Sequence, residues 1–183
     1  ECLGEPLFRQ HLVGRSVGDD PPMIQDHDPV IEAARELCIL RARSPDHAEE
    51  LIAWTDRLFG ELGIEETANE TRLRHAACLL SDIGWRAHPD YRADVCFETV
   101  TRANLSGLDH PDRVFLGVAI MNRYKSSSAG GFDPAILNLL SPARQAEAEK
   151  LGRAIRLGAM LSGSAPGTLE NTELAPRVAR KSA

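Results

Sequence analysis

The chain has 183 residues, 43% of them hydrophobic, which supplies enough apolar surface for a packed core and room for one large or two small domains. Its net charge of −6, with 26% charged residues, argues against broad attraction to nucleic acid or to anionic membranes, so any polyanion must meet a local basic groove. No apolar run is long enough to span a membrane, and the opening ECLGEPLF has neither the basic flank nor the apolar core of a signal peptide.

Residues 1–26, with scattered Gly and Asp and a Pro-Pro pair, read as a weakly ordered segment, and the missing initiator methionine suggests a fragment or a processed product. Residues 27–163 follow as a helical domain. Six capping or turn residues stand directly before proline: Asp28-Pro29, Ser44-Pro45, His88-Pro89, His110-Pro111, Asp133-Pro134 and Ser141-Pro142. Proline suits the first helical position because its missing N–H would be unpaired there, so six such sites predict about six helices and an all-α fold. After Ser44, apolar residues from Ala48 to Leu62 recur at steps of three and four, giving one buried stripe on a helix that ends near Gly60 or Gly63. Leu73, Ala76, Ala77, Leu80 and Ile83 repeat the pattern, with Asn69 or Thr71 as the expected cap and Gly84 as the stop.

VFLGVAIM, from Val114 to Met121, is apolar all round and fits a buried strand or a buried helix; His110-Pro111-Asp112 before it and Asn122 to Lys125 after it favour the helix. SSSAGG, Ser126 to Gly131, reads as a turn or short linker, since it lacks the Lys-Ser/Thr ending of a phosphate loop. A last helix is expected from Pro142 to Leu161. Residues 164–183 form a tail in which Thr168 to Leu174 could start a short strand, although no partner strand follows to satisfy its backbone. Cys2, Cys38, Cys78 and Cys96 show no C-x-x-C spacing, and three lie in apolar helical patterns; buried thiols of this kind point to a reducing compartment, the cytoplasm.

The stretch RLRHAACLLSDIGWRAH, Arg72 to His88, is similar to the metal helix of HD-class phosphohydrolases, in which an apolar helix ends in a His-Asp pair written LLHDIG. Here the pair is Ser81-Asp82, and a hydroxyl in place of an imidazole removes a strong nitrogen ligand. His47 matches the upstream histidine of that class, and His88 follows where related proteins often carry another. The helix that should supply a late acidic ligand ends instead in Asn122-Arg123-Tyr124-Lys125. His47, Asp82 and His88 are too few for a tight site, so no metal is expected. His47 and Asp82 also have a plain structural reading: a solvated first-turn histidine for His47, and for Asp82 a helix-terminal residue bonded to backbone or to an arginine.

The order of pieces DPVIEAARELCILRARSPDHAEELIAWTDRLF, RLRHAACLLSDIGWRAHPDYRADVCFETV, GLDHPDRVFLGVAIMNRYK and KLGRAIRLGAMLSGSAPGTLENTEL resembles the C-terminal, HD-like helical domain of the exopolyphosphatase and guanosine pentaphosphate phosphohydrolase family. That resemblance implies a noncatalytic module. In the family an actin-like half performs the hydrolysis with Asp-x-Gly-Ser phosphate loops, and this chain has none, so catalysis and any Mg2+ would belong to that other half. The implied partners are polyphosphate or guanosine pentaphosphate, and a catalytic half or a second copy in a homodimer; no nucleic acid or membrane is implied. Arg74, Arg86, His88 and Arg92 cluster around the Ser81-Asp82 turn and are the candidate lining of a polyphosphate groove, because guanidinium groups present planar donor forks to phosphate. The competing reading is a solvated face with local ion pairs, such as Asp90 and Asp94 beside Arg86 and Arg92. Trp54 and Trp85 read as core or interface packing. Two other functions remain in play: a degenerate HD-type metal-dependent phosphohydrolase, against which Ser81 weighs, and a stand-alone regulatory or adaptor module.

Overall fold

The computed structural model describes residues 28–125 and 134–172. The expectations for residues 1–26, for the 126–131 turn and for residues 173 onward lie outside these segments. Within them every regular element is helical: α1 (Pro29–Arg41), α2 (Pro45–Glu61), α3 (Ala68–Leu80), α4 (Pro89–Arg102), α5 (His110–Tyr124), the single-turn α6 (Pro134–Leu137), α7 (Pro142–Ser162) and a short 3-10 turn, Leu169–Asn171. The all-α fold expected from the six proline-marked starts is the one observed, and each of those prolines begins a helix or stands at its second position.

The caps show why. Asp28, Ser44 and Ser141 each accept a backbone N–H from the first turn of the following helix, satisfying donors that have no intrahelical partner. At α5 the capping side chain is Asp109, which accepts from the Asp112 N–H at 2.7 Å, so the helix begins one residue before the proline. At α3 the cap is Thr67 rather than Asn69 or Thr71. Thr67 and Glu70 form a reciprocal capping box, in which each side chain accepts the other's backbone N–H. The far end of α3 also differs from expectation. It stops at Leu80, because the Ser81 N–H turns to the Cys78 carbonyl and residues 81–87 continue as tight turns up to Gly84 and beyond.

α5 is the centre of the molecule, buried from Val114 to Arg123, and it packs against α3, α4 and α7. Its apolar sequence on every side reflects contact with helices on several sides. α3 in turn packs against α1 and α2, and α2 against α7. Glycines set the closest approaches. A methyl group on Gly152 of α7 would lie 2.2 Å from the Ala119 carbonyl oxygen of α5, one on Gly117 would lie 2.6 Å from the Phe97 ring, and one on Gly158 would meet Leu51 and Trp54. Cys38, Cys78 and Cys96 are buried, free thiols, and burial raises their pKa values to about 11, about 12 and about 11, which keeps them protonated and inert.

Residues 168–172 do not form the expected strand. They wind into the 3-10 turn and are strapped to α2 by three of its side chains. The Glu50 carboxylate accepts the N–H groups of Gly167, Leu169 and Glu170 at 3.1, 2.6 and 3.2 Å; the Trp54 indole donates to Thr172 Oγ1 at 3.0 Å; and Arg57 donates to the Leu169 and Glu170 carbonyls. Leu169 is fully buried beneath this strap. Side chains of α2 thus satisfy the backbone that a lone strand would have left open. No described helix is long and apolar enough to cross a membrane.

Candidate functional site

The turn that follows α3 brings the Ser81-Asp82 pair against the end of α5. Asp82 Oδ1 accepts from Arg123 Nη2 at 3.2 Å and from the Tyr124 hydroxyl at 3.3 Å, while the same hydroxyl lies 2.8 Å from the Ser81 carbonyl oxygen. Arg123 is 8% exposed and its guanidinium lies over the Tyr124 ring, 4.4 Å from the centroid. Burial raises the Tyr124 phenol well above its ordinary range, so it remains a donor to the carboxylate. The aspartate of the HD-like motif is therefore committed to a guanidinium and a phenol, in the helix-terminal role weighed for it from the sequence. Arg123 Nε is buried with no partner in the structure.

His47 is 3% exposed, not solvated. Its Nε2 lies 2.6 Å from Ser162 Oγ, which joins the first turn of α2 to the last turn of α7. Ser162 Oγ also donates toward the Gly158 carbonyl at 2.9 Å. Loss of solvent lowers the pKa of the imidazole, with Glu50 and Asp82 opposing that shift and Arg123 and Arg43 reinforcing it. His47, Asp82 and Arg123 thus act on one another electrostatically, but the ring is bonded to a serine. Ser81 is buried at the C-cap of α3. Among the described residues no three His, Cys, Asp or Glu side chains come together so as to hold a metal ion.

The four candidate phosphate ligands divide. Arg74, 4% exposed, points to α2 and the α2–α3 loop: it bonds Glu66 through Nε and Nη2, Asp56 at 2.6 Å and Thr55 at 3.1 Å, and stacks on Phe59. Two carboxylates saturate its fork. Arg92 reaches back across the turn to the carbonyls of Trp85 (2.7 Å) and Ala87 (3.1 Å), where it pins the chain between α3 and α4. Arg86 is exposed and lies over the Trp85 ring. His88 is exposed and caps α4, its Nδ1 accepting from the Asp90 N–H at 3.3 Å. Arg86 lies in the turn before α4, His88 at its cap and Arg92 near its start; Arg74 shares no partner with them. The local ion pairs are not those weighed from the sequence, since Asp94 pairs with Lys125 at 2.8 Å.

The positive charge at the end of α5 is legible in the sequence, but its closure on Asp82 is not. Arg123 and Asp82 are 41 residues apart, and only the packing of α5 beside the α3–α4 turn brings them together. Ser162, the partner of His47, falls one residue past the expected end of the last helix, with nothing in its spacing to mark the contact.

Fold and site together define an all-helical domain with an HD-like helix, α3, whose following aspartate is bonded to an arginine of the central helix α5. The family described as "Exopolyphosphatase, C-terminal" matches residues 30–179, and the chain belongs to it. A search of the curated proteins gave no match.

Proposed function

We propose that the chain is the noncatalytic helical domain of an exopolyphosphatase-like phosphohydrolase, contributing contacts to polyphosphate and to a partner subunit. The observation that carries this reading is the Asp82–Arg123 pair: the one carboxylate of the HD-like motif already has a cation, which leaves little with which to bind and activate a metal-held water. Hydrolysis, and the Mg2+ it uses, then belongs to the catalytic half implied by the family, and the buried free thiols fit a cytoplasmic setting. Arg86 and His88 are the exposed groups of the basic turn and would meet phosphate oxygens first, with Arg92 holding that turn in shape. Arg74, saturated by Glu66 and Asp56, takes no part.

The test is a titration of this chain with long-chain polyphosphate at several salt concentrations, with phosphate release followed in parallel. Binding should be weak and should fall steeply with salt, and the Arg86→Ala, His88→Ala double variant should reduce the logarithmic salt slope by about 1 for each phosphate that is no longer neutralised. Absence of affinity at low salt would refute the polyphosphate contacts. Sustained phosphate release at about 1 per second or faster, abolished by His47→Ala with Asp82→Ala, would refute the noncatalytic reading.

A further inference from the structure

A cavity of about 140 Å³ lies at the end of α3 remote from Asp82, where α2, α3, α5 and α7 converge. Its floor is apolar: Phe115 and Leu151 are buried, and Phe59 and Ile64 are half-buried. A space of roughly 150 Å³ lined by such side chains takes a guest the size of benzene, so this one has room for a hydrocarbon body of about five or six carbons.

The walls decide the charge of that guest. Arg74, stacked on Phe59, is held by Glu66 at 2.7 Å and by Asp56 at 2.6 Å. Arg144, its guanidinium 4.3 Å from the Phe115 ring centroid, is held by Asp112 and Glu147 at 3.3 Å and by Glu70 at 3.6 Å. Five carboxylates thus surround two guanidiniums, and neither guanidinium keeps a free fork for a phosphate or a carboxylate. Glu65, on the rim, adds a further carboxylate with no ion-pair partner among the described residues. Bonds from the Thr67 N–H and hydroxyl hold the Glu70 carboxyl below its ordinary range, so it stays charged. Acids alone would gather only hydrated counterions. The apolar floor beside them selects a cation that carries hydrocarbon, since such a guest gains both from neutralisation at the walls and from burial on the floor. Lys150 stands exposed at the rim, likewise without an ion-pair partner among the described residues, and it repels a second ammonium reaching outward.

We propose that this cavity binds a small primary monoamine, with its ammonium at the Glu65 and Glu147 carboxylates and its hydrocarbon body against Phe115 and Leu151. The site is distinct from the Arg86 turn, which suits the opposite charge and lies beyond the other end of α3. It adds a second class of ligand to polyphosphate and stands whether or not the polyphosphate contacts do.

The experiment is an NMR titration of the full 183-residue chain, labelled with nitrogen-15, using n-pentylamine and two probes of the same body, pentanoate and 1-pentanol. Pentylamine should saturate with a Kd on the order of 1 mM and shift the amides of Glu65, Glu147 and Leu151. Pentanoate should not bind, and pentanol should bind at least about tenfold more weakly than the amine. Glu65→Gln combined with Glu147→Gln should weaken the amine by about fivefold or more, because each partly exposed charge contributes modestly. Ile64→Trp, which fills the cavity from a loop position, should abolish binding, and circular dichroism checks that both variants are folded. The contrast among the three probes on the unaltered chain is decisive even if a variant fails to fold. No saturable shift at about tenfold higher amine, pentanoate or pentanol binding as tightly as the amine, shifts centred on other residues, or full affinity in a folded variant would each overturn the proposal.

Discussion

Replacing one glycine by alanine should have opposite effects at two places in this molecule. At Gly60, in the last turn of α2, nothing lies within 4 Å of where a methyl group would project. There the substitution only removes the backbone freedom of glycine in the unfolded chain, and it should stabilise by about 0.5–1 kcal/mol. At Gly152, in the middle of α7, the same gain is opposed by a methyl carbon 2.2 Å from the Ala119 carbonyl oxygen and 2.6 Å from Asn122 Cβ. A backbone carbonyl inside a buried helix cannot swing aside, so α5 and α7 must part, and overpacking against such a wall lies at or above the usual 1–3 kcal/mol. The net expectation for Gly152→Ala is a loss of about 2 kcal/mol, which in a domain of this size lowers the melting temperature by about 4–8 °C. Urea unfolding followed by circular dichroism measures both variants in one series. If Gly152→Ala is as stable as Gly60→Ala, the close packing of α7 on α5 is not what holds these helices together.

Three further outcomes rest on individual side chains. Burial lowers the folded-state pKa of His47 below the value of about 6.5 that it has when unfolded, so between those values the unfolded chain binds more protons and stability falls with falling pH. His47→Gln should remove that part of the decline between neutral pH and the mildly acid range, and an unchanged pH profile would show that the ring is not titrating in a buried site. Arg74→Ala leaves the half-buried Glu66 without its partner; since Asp56 is 46% exposed and largely screened, the loss should be about 2 kcal/mol. That loss should be strongly non-additive with Glu66→Ala, and strict additivity would mean the pair contributes nothing as a pair. Glu50→Ala should speed amide exchange at Gly167, Leu169 and Glu170 while leaving α5 protected, whereas unchanged exchange there would mean that the carboxylate does not hold the strap.

What the sequence made legible were the features set by neighbours in the chain. Asp28, Ser44 and Ser141 before proline marked helix starts because a cap acts on backbone only two or three residues away. The Thr67–Glu70 box is equally local, yet the apolar pattern points to Asn69 or Thr71 as the cap, and the box at Thr67 is missed. The other features that escaped depend on long loops closing. Nothing near Leu169 indicates that a carboxylate 119 residues earlier would absorb its N–H group and those of its neighbours, turning a strand into a 3-10 turn. His47 looks solvated by pattern because its partner Ser162 lies 115 residues later, in the last turn of α7. The arginines show the sharpest divide: nearness in sequence placed Arg74 with Arg86 and Arg92, yet Arg74 went to carboxylates and Arg92 to carbonyls, while Arg86 stayed exposed over the Trp85 ring.

A positive charge carried by the chain itself differs from a bound ion in one respect: it has no dissociation constant. Arg123 reaches Asp82 in every folded molecule whatever the composition of the medium, and no chelator can remove it. Polyphosphate is itself an avid ligand for divalent cations, so a domain working beside it would put any exchangeable ion at risk each time the chain of phosphates passed. With a guanidinium in that position, the junction between the α3–α4 turn and α5 keeps its shape without an exchangeable ion, and its integrity is decided once, at folding.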